Sequence, residues 1–152
     1  MGILIMKIQI ESEIMNRIQI IGEAAYPEEA AGFIFGLDLN GQRIAKEICE
    51  VRNSKENGKR HNRYLITPKD FFQGEIAAEE KGLEVIGVFH SHPDHPDQPS
   101  EFDKEWAMPW FSYVITSVEK GIAISSRSWR LLDDRSRFQE EKITSVQEKL
   151  EK

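Results

Sequence analysis

Residues 89–106 read F-H-S-H-P-D-H-P-D-Q-P-S-E-F-D-K-E-W and follow an apolar run, Val85, Ile86, Gly87, Val88 and Phe89. Such a run bounded by polar residues predicts a buried strand. His90 and His92 flank Ser91, so both imidazoles leave the strand end on one side. Pro93, Pro96 and Pro99 keep the following loop extended and remove backbone donors from it. Ser100-Glu101-Phe102-Asp103 then has the form of a helix start, a hydroxyl at the N-cap and a carboxylate at N3. Strand end, stiff loop and helix start present two imidazoles and a carboxylate, His90, His92 and Asp103, to one point. Two His and one Asp leave a tetrahedral zinc one open position, as catalytic rather than structural zinc sites do. A hydrolytic metal site is the expectation.

The rest of the composition suits that expectation. A chain of 152 residues, 39% hydrophobic and 30% charged, is expected to be one soluble domain, residues 1–152, with its own core. A net charge of −6 argues against general binding to nucleic acid or to an anionic membrane. Cys49 is the only cysteine, which removes internal disulfides and Cys-rich zinc cages and fits a reducing compartment. The apolar start M-G-I-L-I-M is too short for a signal core, and no 18-residue apolar run follows. The expected location is the cytoplasm.

Outward from the centre, Ile3 to Ile10 predicts a first strand and Ser12 caps a helix over roughly 13–25, with Ile14, Ile18, Ile21 and Ala25 on one face. Y-P-E-E-A-A-G-F-I-F-G-L leads into a strand at 32–37, and Asn40-Gly41 turns it into a returning strand at 44–51 that carries Cys49. Residues 52–63, R-N-S-K-E-N-G-K-R-H-N-R, predict a solvated basic loop that includes His61, or else a contact surface for an acidic partner. A short strand at 64–66 precedes Thr67-Pro68-Lys69-Asp70, a second capping signal, and a helix expected to turn Phe72, Ile76 and Leu83 inward. After the histidine loop, 111–118 and 122–132 predict a second hairpin around Glu119-Lys120-Gly121. Trp106 and Trp110 are aromatic enough to line a substrate groove, but packing in the core is the expectation. The charged tail at 133–152 predicts a terminal helix on Ile143, Val146 and Leu150, or a frayed end.

Two other metal patterns fail. His90-Ser91-His92-Pro93-Asp94-His95 fits the H-x-H-x-D-H opening of metallo-β-lactamase-like hydrolases, but those sites need further histidines downstream and His95 is the last in the chain. A zincin needs H-E-x-x-H, which is absent.

H-S-H-P at 90–93 followed by P-S-E-F-D at 99–103 resembles the signature of the JAMM (MPN-plus) metalloproteases. That family also carries an upstream Glu in a segment similar to Y-P-E-E-A-A-G-F-I-F-G, at the second position after the proline, here Glu29. The resemblance spans roughly residues 6–145, and P-W-F-S-Y-V-I at 109–115 is similar to the small bacterial branch. It implies His90, His92 and Asp103 as zinc ligands, Glu29 as general acid and base, and Ser100 as a donor to the oxyanion. It further implies an α+β fold, three layers α/β/α about a mixed central sheet, similar to cytidine deaminases. For function it implies an isopeptidase cutting after the Gly-Gly tail of a ubiquitin-like, ThiS/MoaD-type β-grasp sulfur-carrier protein. A deubiquitinase-like isopeptidase and a non-catalytic MPN scaffold are the alternatives, the latter distinguished by loss of the ligands. From the residues alone, Glu29 and its neighbour Glu28 are rivals, and Asp94, His95 and Asp97 are loop groups or outer partners of the ligands rather than ligands.

Overall fold

The computed structural model describes residues 6–52 and 66–145. In chain order its elements are β1 (Lys7–Gln9), α1 (Ser12–Ala25), β2 (Ala31–Leu39), β3 (Gln42–Val51), α2 (Pro68–Glu80), β4 (Glu84–Pro93), α3 (Glu101–Trp106), β5 (Ser112–Glu119), β6 (Ile122–Leu131) and β7 (Phe138–Thr144). Residues 53–65, which hold most of the basic stretch and the start of the short strand expected before Thr67, lie outside the described residues. No described helix is long and apolar enough to cross a membrane.

Both hairpins form where the turn residues demand them. Asn40 (φ 58°) and Gly41 (φ 88°) join β2 to β3, and Lys120 (φ 51°) and Gly121 (φ 87°) join β5 to β6. Two consecutive positive-φ residues match the twist of an antiparallel pair. The sheet is mixed, as expected: β2 runs antiparallel to β3 and β4, β4 parallel to β5, and β5, β6 and β7 antiparallel in turn.

Its layering departs from the expectation. β1 pairs parallel with β3 on one side and with β7 on the other, so Ile8 lies between Arg43 and Ile143. The strands therefore close in the order β1-β3-β2-β4-β5-β6-β7, a barrel-like sheet rather than an open one between two helical layers. Helices still pack on both faces. Ile34 joins the core beside α1 with Ile14, Ile18, Ile86 and Phe89. Its neighbours Phe33 and Phe35 point the other way, to Ala78 of α2, Val85, Val88 and Tyr113.

Four local expectations are corrected. Ser12 is the first residue of α1 rather than its cap; the N-cap is Glu11, with no side-chain cap bond. α2 exposes Phe72 (64%) and Ile76 (43%) and buries Gly74 and Ala78 instead. Gly74 decides this, because a Cβ there would stand 2.7 Å from the Phe33 ring; the helix approaches the sheet where it has no side chain. The charged tail is neither helix nor frayed end over Phe138–Thr144, which form β7; Val146 and Leu150, on which the expected helix also rested, lie outside the described residues. There Glu141 turns inward to Ser128 and Arg130, and Ile143 packs beside the α1 core. Trp106 and Trp110 are 56% and 47% exposed rather than core residues. Trp110 lies over the Arg43 guanidinium, 4.2 Å from ring centroid to charge, a cation–π contact.

Candidate metal centre

β4 runs on through the histidines to Pro93, further than the apolar run alone implies. Its pairing with β2 places His90 opposite Ala31, and its pairing with β5 places His92 opposite Ser117. Ser91, between them, points to the other face. Its Cβ lies 3.3 Å from the position a Cβ on Gly22 of α1 would take. Its hydroxyl accepts the Ala30 N–H at 2.9 Å, while its own N–H donates to the Ala30 carbonyl at 3.0 Å. Strand alternation thus sends both imidazoles to one side and pins the segment that carries Glu29 with the residue between them.

α3 supplies the third group. Ser100 accepts the Asp103 N–H at 3.1 Å and the Asp103 carboxylate accepts the Ser100 N–H at 2.8 Å, the capping box expected from the sequence. The same carboxylate faces the histidines: Asp103 Oδ2 lies 3.1 Å from His92 Nε2 and Oδ1 lies 3.5 Å from His90 Nε2. All three residues are buried, at 1%, 6% and 4% exposure for His90, His92 and Asp103.

These groups fit a metal ion. One ligand atom from each of His90, His92 and Asp103 lies within 4.8 Å of the others. Ligands ~2.0–2.1 Å from a tetrahedral zinc stand ~3.3 Å apart, and the carboxylate-to-imidazole separations of 3.1 and 3.5 Å bracket that value. The tautomer also fits at His92, whose Nδ1 lies 2.7 Å from the Pro96 carbonyl. A carbonyl only accepts, so Nδ1 carries a hydrogen; Nε2, which bonds the Asp103 carboxylate here, is the nitrogen left to ligate a metal once its own proton leaves.

Electrostatics match the geometry. Burial lowers His90 to about 4, against the pull of Asp103, so this imidazole is neutral at physiological pH. Burial pulls His92 down as well, but the hydrogen bond and charge of Asp103, the Pro96 carbonyl and the charge of Glu29 together raise it. Asp103 is pushed up by burial, yet His90, His92 and the Ser100 N–H hold it well below the usual carboxylate range. A neutral imidazole and an ionised carboxylate are the forms that bind metal.

Glu29 sits half-buried in the short connection between α1 and β2, close enough for its charge to raise His92. Ser100 is exposed at the mouth of α3 with its oxygen accepting from Asp103, which leaves its hydrogen free to donate elsewhere. Asp94 and His95 take no part in the cluster: Asp94 accepts from Tyr26 Oη and the Lys120 N–H, and the His95 carbonyl accepts from Ser117. Sequence reasoning passed over Ser91, although period-two alternation within H-S-H marks it as the residue facing α1.

A family described as prokaryotic homologs of the JAB domain, Prok-JAB, matches residues 11–132. The chain belongs to this family. The Prok-JAB match covers every element from α1 to the end of β6, and with them the three candidate ligands and Glu29. Among characterised relatives, "Desampylase" of Pyrococcus furiosus is 28% identical over 115 residues, 76% of this chain and 74% of that one. The solution structure of a protein from Salinibacter ruber shares 38% identity and a TM-score of 0.72 over 91% of each chain. A structure described as JAMM, a metalloprotease-like zinc site in the proteasome and signalosome, shares the fold at a TM-score of 0.54. It is 16% identical, over 91% of this chain and 97% of that one.

Proposed function

We propose that this Prok-JAB protein is a zinc-dependent peptidase or isopeptidase. Its proposed substrate is the amide bond that follows the C-terminal Gly-Gly tail of a small ubiquitin-like sulfur-carrier protein. The observation that carries the proposal is the convergence of His90, His92 and Asp103, buried and within ligand distance of one another, beside the half-buried carboxylate of Glu29. The desampylase relative and the H-S-H-P…P-S-E-F-D pattern support the hydrolytic reading. Retention of all three candidate ligands favours it over a non-catalytic scaffold.

Zinc held by His90, His92 and Asp103 would supply Lewis acidity at neutral pH. The remaining chemistry falls to the chain. Glu29 takes a proton from the attacking water and returns it to the departing amine, a poor leaving group until protonated. Ser100, its oxygen already engaged by the Asp103 N–H, donates its hydrogen to the carbonyl oxygen as negative charge grows there.

The test is cleavage of a Gly-Gly carrier that bears extra C-terminal residues, followed by intact mass. The wild type should release the extension. Glu29→Gln should keep zinc and lose ~10²–10⁴ in rate, the usual worth of general acid–base help. Ser100→Ala should keep zinc and lose about 10²–10³ in kcat, as for one oxyanion donor, with stability lowered by ~1 kcal/mol for the lost cap. Glu28→Gln should be nearly silent. A zinc-loaded wild type that leaves every tailed carrier intact would refute the substrate class. Full activity in Glu29→Gln would refute the acid–base assignment.

A further inference from the structure

The loop between the two halves of the metal centre is tied down residue by residue. The His95 carbonyl accepts from Ser117 Oγ at 2.6 Å and the Pro96 carbonyl faces His92 Nδ1 at 2.7 Å. Asp97 is held twice: its carbonyl accepts Trp129 Nε1–H at 3.0 Å and its carboxylate accepts Ser125 Oγ–H at 2.7 Å. Arg127 stands 3.6 Å from the same carboxylate. Asp97 is 6% exposed, so its charge is out of water on a loop that is otherwise largely exposed. That arrangement is costly unless the carboxylate is paired and bonded.

We infer that Asp97, Ser125 and Trp129 are positioning residues that set the metal affinity of the site through the Pro96 carbonyl. Pro96 cannot donate and its ring fixes φ, so the direction of its carbonyl follows from where Asp97 is anchored. The anchor is β6, which is paired to β5, which is paired to β4 in the register Ser125↔Ser117↔His92. Ser125 and Trp129 thus measure the loop against the strand that bears the histidine. With Asp97 seated, the Pro96 oxygen accepts from Nδ1 and holds the ring with Nε2 toward Asp103. With Asp97 released, that carbonyl swings away and His92 gains ring rotation and the other tautomer. Outer partners of ligating histidines are worth about 10–100-fold in metal affinity. The inference rests on the zinc-site proposal above.

The measurement is zinc affinity by competition with a chromophoric chelator, together with thermal midpoints. The variants are Ser125→Ala/Trp129→Phe, Ser125→Thr and Ser128→Ala. The double variant removes both hydrogen bonds that seat Asp97, leaving only the longer and half-exposed Arg127 contact, and should weaken zinc about 10–100-fold. Ser125→Thr keeps the hydroxyl and should bind within a few-fold of wild type. Ser128→Ala is the control for general damage: it lies on the same strand and loses a buried bond to Glu141 but touches neither loop nor ligand. It should lower the midpoint and leave zinc affinity unchanged. Wild-type affinity in the double variant, or equal weakening in Ser128→Ala, would overturn the positioning role. A wild type that binds no zinc would overturn the metal site itself, a result distinguishable from either.

Discussion

Asp103 is capping residue and candidate ligand at once, and that double use is possible because a carboxylate has two oxygens and several lone pairs. Oδ2 serves the Ser100 N–H and His92, while Oδ1 faces His90. The cost falls on His90, sealed from water beside them. Its folded pKa, about 4, lies below its ordinary 6.5. As pH falls through that window the unfolded chain takes up a proton that the folded imidazole refuses, so stability falls with it. His92, raised above 6.5, is protonated in both states there, and Asp103, lowered, is ionised in the folded state throughout. Metal-free protein should therefore lose up to roughly 3 kcal/mol between pH 6.5 and pH 4, read by urea denaturation at several pH values. Stability that holds or rises over that range would show that His90 is not desolvated as described.

At the scale of elements, glycine placement outweighs helix propensity in α2. Gly74→Ala gains ~1 kcal/mol of intrinsic propensity. It also sets a methyl 2.7 Å from the ring of Phe33, itself 2% exposed and held against Phe71. Overpacking of this kind costs ~1–3 kcal/mol, so the variant should have a lower thermal midpoint; a rise would refute this packing. The same position explains what the sequence hid. Capping boxes, Asn-Gly and Lys-Gly turns and the apolar run before His90 are local signals, and each appears where expected. Which face of α2 is buried depends on Phe33, distant in sequence, and Phe72 and Ile76 misled because apolar periodicity is blind to a glycine contact. The candidate ligands were legible for the local reason: strand, loop and helix cap lie within one short stretch. The anchoring of Asp97 was not, since its partners Ser125 and Trp129 reside on β6.

Over the whole molecule, closure of the sheet depends on a charged tail whose sequence predicts a helix or a frayed end. β7 carries Glu141, fully buried, which accepts from Ser128 Oγ at 2.8 Å and Arg130 Nε at 2.9 Å. Glu141→Ala leaves both donors unpaired and lets the Arg130 charge oppose Arg43, so it should destabilise by ~3–5 kcal/mol, as for breaking a buried ion pair. An unchanged denaturation midpoint would mean that β7 is not the seam. Closure matters to the site because β4 and β5, at the middle of the strand order, are held from both sides, and α1, bearing the approach to Glu29, packs against β3, β4, β5 and β6. The proposal that this frame supports is that His90, His92 and Asp103 hold a single zinc ion. Elemental analysis of the purified wild type and of His90→Ala, His92→Ala and Asp103→Ala tests it directly. About one zinc per chain in the wild type and little in each variant is the predicted result; full zinc in the three variants, or none in the wild type, would contradict it.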